Sequence, residues 1–166
     1  EYGLKSGALS ESLPSDPQNP YALAKDTLRK FLESLMRTRP FALHWARLFY
    51  LHGSGQNPSS LLAQLDLAID EQRESFDMSG GEQLRDYLAV DEAARRLSDL
   101  SVRSESSGIV NICSGEPVSV RRLVEQRIVM RGSNIRMNLG AYPYPEHEPM
   151  AFWGCRKRFE TIMGSL

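Results

Sequence analysis

Two side chains with complementary chemistry, Tyr21 and Lys25, stand four residues apart near the start of the chain. Residues with this spacing lie on the same face of an α-helix, so the phenol and the ammonium group should point the same way. A free tyrosine, with a pKa of about 10, is a weak base at neutral pH, and a nearby cation favours its phenolate. Such a pair is suited to general acid–base catalysis. The same spacing also occurs in ordinary amphipathic helices, with the tyrosine beside the apolar face and the lysine in solvent.

A helix must position this pair, and the flanking residues predict one over residues 20–37. Asp16, Asn19 and Pro20 provide the cap and first-turn signals of a helix start, and Pro40 ends the segment. Apolar residues recur at helical spacing through it, at Leu23, Ala24, Leu28, Phe31, Leu32 and Leu35. The preceding residues 3–20 contain three prolines and are predicted to be a loop.

The rest of the chain alternates strand and helix signals, which indicates an α/β fold. Residues 41–51 form a mostly apolar, aromatic-rich run that is predicted to be one buried strand. Further strands are predicted at residues 76–78, 83–90, 109–113 and 135–139, and further helices after Asn57, after Asp91, after Ser119 and over 156–163. Residues 141–149 contain three prolines and are predicted to be irregular.

Composition narrows the functional class. The 166 residues suffice for one domain with a core, and the apolar and charged fractions are typical of soluble globular proteins. A net charge of −1 and the lack of a membrane-length apolar run give no reason to expect nucleic acid or a membrane as partner. Cys113 and Cys155 form no metal or redox motif, which favours a reduced, cytoplasmic setting. The scattered His44, His52 and His147 predict no metal site.

Five short motifs occur in a fixed order along the chain: Tyr2-Gly3, Pro20–Lys25 (PYALAK), Arg47–Gly53 (RLFYLHG), Arg85–Asp91 (RDYLAVD) and Asn111–Gly115 (NICSG). This series resembles the extended short-chain dehydrogenase/reductase family, specifically its NAD-dependent nucleotide-sugar epimerases, dehydratases and reductases. The resemblance runs from residue 1 almost to the end. It implies that residues 1–53 are the last part of a doubly wound Rossmann-type parallel sheet. Residues 54–166 would then be mainly the smaller α/β domain that binds a nucleotide-diphosphate sugar.

The resemblance also implies roles for residues near the Tyr21–Lys25 pair. Tyr21 would be the acid–base group on the sugar. Lys25 would bind the nicotinamide ribose of NAD or NADP and assist hydride transfer. Phe49 would lie near the nicotinamide and Tyr50 at the sugar, where the family often has asparagine. Simple core packing is the alternative for Phe49 and Tyr50.

Three more positions correspond to the family's contacts with the nucleotide diphosphate. Ser60 lies at a predicted helix start, where free N–H groups attract phosphate. Arg85 carries a guanidinium that can recognise phosphate bidentately, and Glu148 matches an acidic site residue. Pro145 stands where a second arginine is often found. The alternatives are that Ser59 and Ser60 only cap a helix, and that Arg85 and Asp86 form a surface pair.

Two family features have no counterpart in the sequence. There is no glycine-rich dinucleotide fingerprint, and the family's catalytic serine or threonine would fall before Glu1. The expectation is therefore a C-terminal portion of an NAD(P)-dependent enzyme, inactive alone. It would associate with its N-terminal half or form a homodimer. The alternative is a non-catalytic remnant that binds a nucleotide sugar or a protein partner.

Overall fold

A computed structural model of the chain describes residues 1–104, 106–145 and 148–164, so that His147 lies outside the described residues. Its helices are α1 (Pro20–Leu35), α2 (Leu61–Asp70), α3 (Val90–Ser101), α4 (Val120–Met130) and α5 (Lys157–Gly164). Its strands are β1 (Gly7–Leu9), β2 (His44–Leu48), β3 (Tyr50–His52), β4 (Ser75–Met78), β5 (Leu84–Ala89), β6 (Gly108–Ile112), β7 (Pro117–Ser119), β8 (Arg136–Leu139) and β9 (Phe152–Gly154).

The strands pair mostly in parallel, across helical crossovers. Strand β2 pairs with β6, with His44 opposite Gly108 and Leu48 opposite Ile112. Strand β5 lies between β3, in parallel, and β7, in antiparallel orientation. Two further parallel pairs join β4 to β8 and β1 to β9. Parallel pairing with intervening helices is the α/β arrangement that the sequence predicted.

Helix α1 matches the predicted helix closely and begins at the predicted cap. The Asn19 side chain accepts a hydrogen bond of 2.8 Å from the backbone N–H of Ala22, and Pro20 occupies the first turn. Two core-sized apolar side chains of this helix, Leu28 and Phe31, are nevertheless exposed. The helix instead buries Ala22, Asp26 and Arg29. Much of its apolar stripe is therefore exposed in the described part of the chain, although Leu32 and Leu35 are half-buried.

The aromatic-rich run from residue 41 to 51 is not one buried strand, as predicted, but two short strands. It breaks at Phe49, because β2 pairs with β6 while β3 pairs with β5. The loop predicted over residues 3–20 also contains a strand, β1, which pairs with β9 near the other end of the chain. Neither three-residue strand of that pair carries enough pattern to be recognised in isolation.

Two apolar cores support these elements. The first lies between α2, α4 and β4 and contains eight buried residues: Leu62, Leu65, Ala68, Phe76, Met78, Leu123, Val124 and Ile135. The second contains Leu88, Ala93, Leu100, Val110 and Ile112. Ala46 and Leu51 pack against the second core, so the two predicted parts of the chain share it. Among the described residues, no helix is long and apolar enough to span a lipid bilayer.

Candidate active site

Tyr21 and Lys25 lie side by side in the first turns of α1. The Nζ atom of Lys25 is 5.7 Å from the centre of the Tyr21 ring. Both side chains are exposed, Tyr21 to 73%. Between them in sequence, Ala22 is buried and also lines the cavity described below. The four-residue spacing therefore places the phenol and the ammonium group on one accessible face, as an acid–base pair requires.

This face borders an open cavity of about 750 Å³. The cavity is lined by the start of α1, the N-terminal segment, β2 with the two residues after it, and β9. Its lining includes Tyr21, Lys25, Asn19, Trp45, Arg47, Phe49, Tyr50 and Phe152. The structure thus brings together four of the residues that the sequence singled out, Tyr21, Lys25, Phe49 and Tyr50. The cavity runs along β2 and past its carboxyl end, the edge at which open parallel sheets bind ligands.

Aromatic rings form one wall of the cavity. Phe152 of β9 lies with its ring centre 6.5 Å from that of Phe49 and 6.1 Å from that of Tyr50. The ring centre of Tyr50 in turn lies 5.4 Å from that of Tyr87. Strand β9 can approach this closely because residue 154 is glycine. A Cβ atom there would lie 2.4 Å from Cys113 Sγ and 2.8 Å from the Phe49 ring.

Arg85 lies directly behind this wall and is buried. Its guanidinium carbon is 4.5 Å from the centre of the Phe152 ring, and its Nη2 donates to Glu148 at 3.0 Å. Its Nη1 donates to the carbonyl oxygens of Leu84 and Met150. Burial and the Glu148 carboxylate raise the pKa of Tyr50, while Arg85 partly opposes that shift. The predicted substrate residues Tyr50, Arg85 and Glu148 are therefore one cluster.

Asp86 points away from Arg85, so the alternative of an exposed Arg85–Asp86 pair is wrong. The Asp86 carboxylate is fully buried and accepts hydrogen bonds from Ser114, Gly115 and Gly154. These bonds tie β5 to the turn after β6 and to β9. Asp86 thereby fixes the strand that carries Phe152 beside the strand that carries Arg85.

Ser60 is not among the residues that line the cavity. It precedes α2 but its side chain does not cap the helix, and its Oγ is buried with no hydrogen-bond partner in the described part of the chain. The neighbouring Ser59 hydroxyl donates to Asn57 Oδ1 at 2.8 Å. The alternative that both serines only cap is therefore wrong for Ser60.

Sequence reasoning missed several lining residues. Asn19 was recognised only as a helix cap. Trp45 was noted only as part of an apolar strand, and Arg47 only as the first residue of a motif. Phe152 carried no local signal of a role, because its position depends on the pairing of β9 with β1. Across the residues that the structure describes, no group of three or more His, Cys, Asp or Glu side chains could hold a metal ion.

A family model described as GDP-mannose 4,6 dehydratase matches residues 1–144. The chain belongs to this family. One curated relative of the chain is the dTDP-6-deoxy-L-talose 4-dehydrogenase (NAD(+)) of Aggregatibacter actinomycetemcomitans. It is 31% identical over 157 residues, which cover 94% of this chain and 58% of the relative. The GDP-6-deoxy-D-mannose reductase of Pseudomonas aeruginosa is 25% identical over 122 residues, covering 70% of this chain and 40% of the relative.

Several solved structures share the fold of this chain. The UDP-N-acetylglucosamine 4-epimerase of Methanobrevibacter ruminantium M1, in complex with UDP-N-acetylmuramic acid, superposes with a TM-score of 0.86 at 24% identity. That match covers 97% of this chain and 53% of the epimerase. MoeE5, in complex with UDP-glucuronic acid and NAD, gives 0.79 at 25% identity, with 98% and 55% covered. The chain thus spans about half the length of the proteins it matches.

Proposed function

We propose that this chain forms the sugar-binding and proton-transferring part of an NAD(P)-dependent enzyme that acts on a nucleotide-linked sugar. The observation that supports it most is the placement of Tyr21 and Lys25 on one exposed helix face beside a cavity lined by Phe49 and Tyr50. Tyr21 Oη would take the proton of the reacting sugar hydroxyl during oxidation and return it during reduction. Lys25, whose Nζ lies 5.7 Å from the centre of the phenol ring, would assist the hydride transfer that accompanies this proton movement.

A nicotinamide cofactor fits the side chains present. The exposed Lys25 ammonium offers hydrogen-bond donors for ribose hydroxyls, and the Phe49 ring offers an apolar surface for the nicotinamide. When bound, the nicotinamide supplies hydride transfer, and the protein supplies orientation and proton movement. The names of the talose dehydrogenase and the NAD complex of MoeE5 support this assignment.

Arg85, Tyr50 and Glu148 would hold the nucleotide-sugar end of the substrate. Phe152 and Glu148 hold the Arg85 guanidinium in a fixed orientation. Its remaining N–H groups would therefore meet a phosphate in a defined geometry. At Ser60, the start of α2 would add free backbone N–H groups that attract the diphosphate. UDP-sugars in the epimerase and MoeE5 complexes support this class of ligand.

The names of the curated relatives indicate a class of sugar substrate. Their names specify 6-deoxyhexoses linked to dTDP or GDP, and the talose enzyme is a 4-dehydrogenase. We therefore favour oxidation or reduction at C4 of a nucleotide-linked 6-deoxyhexose. Leu48, Phe49 and Phe152 in the cavity lining are apolar, which suits a methyl group in place of a hydroxymethyl group. Epimerisation and dehydration are the alternative outcomes of the same chemistry.

The exposed apolar side of α1 supports association with further protein. Leu28 is 46% and Phe31 62% exposed, which leaves side chains of core size uncovered. A second copy of the chain or the remainder of a longer protein would cover them. We expect the 166 residues alone to show no turnover, since nothing in their sequence provides the dinucleotide-binding glycine loop.

The decisive test replaces the proposed acid–base group. In the protein encoded by the complete reading frame, Tyr21→Phe should lower kcat by about 10²- to 10⁴-fold and leave nucleotide-sugar affinity nearly unchanged. The matched control is Tyr142→Phe, which alters an exposed tyrosine outside the cavity lining. Turnover is followed by nicotinamide absorbance with dTDP-, GDP- and UDP-sugars. Full turnover by Tyr21→Phe would reject the acid–base role.

Binding is tested separately, with the 166-residue chain and calorimetry. Arg85→Lys keeps the charge but loses the planar fork, so affinity for a nucleotide sugar should fall about tenfold. Arg121→Lys, at an exposed arginine paired with Glu125, is the control. Equal affinity of both variants would reject the Arg85 contact. Binding of a nucleotide sugar by a complete protein with no turnover would favour the non-catalytic alternative.

A further inference from the structure

We propose that Asp26 and Ser15 are positioning residues, which hold helix α1, and with it Tyr21 and Lys25, at the cavity through a buried polar network that reaches Arg47 of β2. The effect of this network on catalysis rests on the function proposed above. The attachment of helix α1 to β2 does not depend on that function. The network lies on the side of α1 that faces away from its apolar stripe.

The network begins at Asp26, which directly follows Lys25 and is only 1% exposed. Its carboxylate accepts hydrogen bonds from Arg29 Nη2 and Lys30 Nζ, both at 2.7 Å. Arg29 is buried too, and its Nη1 donates to Glu33 at 2.6 Å. Each of these groups belongs to α1, so they stabilise the helix but do not by themselves attach it to anything.

Ser15, in the loop before α1, provides the attachment. Its Oγ accepts a hydrogen bond of 2.9 Å from Arg47 Nη2 and lies 3.5 Å from Arg29 Nη2. Although burial favours the protonated form, hydrogen bonds from Lys30, Arg29 and Ser15 hold the pKa of Asp26 well below its ordinary value. Ser15 Oγ therefore contacts Arg29, the partner of Asp26 on the helix, as well as Arg47 of β2. This arrangement joins α1 to β2.

Arg47 is fixed in turn by the N-terminal segment. Its Nε donates to Glu1 at 2.6 Å, and its guanidinium carbon lies 4.4 Å from the centre of the Tyr2 ring. The Tyr2 hydroxyl donates to Asn111 of β6 at 2.7 Å. The network therefore ends in the parallel pair β2–β6.

Gly3 allows the loop to come this close. Its φ is +73°, and a Cβ atom there would lie 2.4 Å from the Asp16 carbonyl oxygen. The Asp16 backbone N–H also donates to the Glu1 carbonyl oxygen at 2.8 Å. A side chain at position 3 would push away the segment that presents Ser15 to α1.

The network contains more buried hydrogen-bond donors than acceptors to pair with them. Arg29 Nε and Arg47 Nη1 are buried and have no hydrogen-bond partner within the described ranges. Removal of the Asp26 carboxylate or the Ser15 hydroxyl would leave another buried donor unpaired, which costs more than the loss of an exposed bond. Hydrogen bonds are also directional, whereas apolar contact is not. The network is therefore suited to set the rotation of α1 about its axis, and so the direction of Tyr21.

Amide hydrogen exchange of the 166-residue chain tests the attachment without reference to activity. Asp26→Ala should accelerate exchange in residues 20–35 about tenfold or more, while exchange in α2 and α4 stays unchanged, because α1 would open locally. Asp26→Glu should restore part of the protection. Lys30→Ala removes the exposed partner of the same carboxylate and should change exchange less than about twofold.

Ser15→Ala is the milder variant and keeps the proposal testable if Asp26→Ala does not fold. It too should accelerate exchange in α1 selectively. Unchanged exchange in α1, or equal acceleration in every helix, would overturn the proposal. In an active complete protein, Ser15→Ala should lower kcat with little change in KM for the nucleotide sugar, because Arg85 is untouched. A raised KM with unchanged kcat would overturn the positioning role even if the proposed function stands.

Discussion

Helix α1 buries a carboxylate and a guanidinium, whereas helix α2 buries only aliphatic side chains. Asp26 and Arg29 of α1 are enclosed by polar partners, while Leu28 and Phe31 are exposed. In α2, Leu62, Leu65 and Ala68 are enclosed in the core shared with α4. The two helices thus face the rest of the described chain with opposite kinds of surface.

The difference shows two ways of holding a helix. An aliphatic face gives stability in proportion to the area it buries, but tolerates small shifts of the helix. A network of charged hydrogen bonds gives less net stability, because burial of charge is costly, yet it fixes a particular orientation. The proposed acid–base pair lies on the helix whose orientation is fixed by such bonds.

The largest effect is expected in the aliphatic helix. Leu65→Ala removes a fully buried side chain and leaves a cavity, so it should lower the free energy of unfolding by about 2–5 kcal/mol. Leu67→Ala, at a half-exposed position of the same helix, is the control and should cost far less. Urea titration measures both. Equal losses would show that α2 is not held by its buried face.

A smaller, pH-dependent effect is expected in α1. Asp26→Asn should cost about 1–3 kcal/mol near neutral pH, because it leaves buried charged donors poorly paired. The charged groups around Asp26 are Arg29, Lys30 and Glu33 on α1 and, through Ser15, Arg47 of β2. Since the pKa of Asp26 is lowered in the folded state, its contribution is complete above the unfolded value of about 3.9 and is lost as pH falls further.

The measurement is the difference in unfolding free energy between the native chain and Asp26→Asn at several pH values. This difference should be constant above about pH 5 and shrink below about pH 4. A difference that grew as the solution was acidified would contradict the assigned charge state. Leu65→Ala is the reference, since loss of an aliphatic side chain should carry no such pH dependence.

The smallest effect concerns the uncovered side of α1. Phe31→Ser should change the free energy of unfolding of the 166-residue chain by less than about 0.5 kcal/mol, because the ring is 62% exposed. Phe76→Ser, in the first core, is the contrasting variant and should be strongly destabilising. A loss above about 1 kcal/mol for Phe31→Ser in dilute solution would show that this face is packed after all.

Local pattern was enough to predict most helices and the longer strands. The start of α1 follows from Asn19 and Pro20, and the Ser119 cap of α4 is present as a hydrogen bond of 3.1 Å to the Arg122 N–H. Strands β1, β7 and β9 were not predicted, because three residues hold no readable alternation. Their existence depends on partners far away in sequence.

In the candidate site, too, the residues placed by local pattern were predicted and those placed by distant pairing were not. Tyr21 and Lys25 share a face because of helical periodicity, which is a local property. Phe152 reaches the cavity only through the pairing of β9 with β1, so no neighbouring residue reveals its position. Asp26 and Arg47 were missed for another reason. Charged side chains are normally exposed, and only the folded arrangement of Ser15 and its neighbours supplies the partners that allow their burial.

The pairing of β1 with β9 has a consequence for the time at which the site is completed during synthesis. Gly7 lies opposite Phe152 and Leu9 opposite Gly154, so the pair closes a loop of almost the whole chain. The core of α2 and α4 involves only residues up to Ile135, so it can form before strand β9 has been synthesised. The aromatic wall cannot, and contacts between such distant residues form slowly in any chain. We therefore expect the aromatic wall of the cavity to form after the core of α2 and α4.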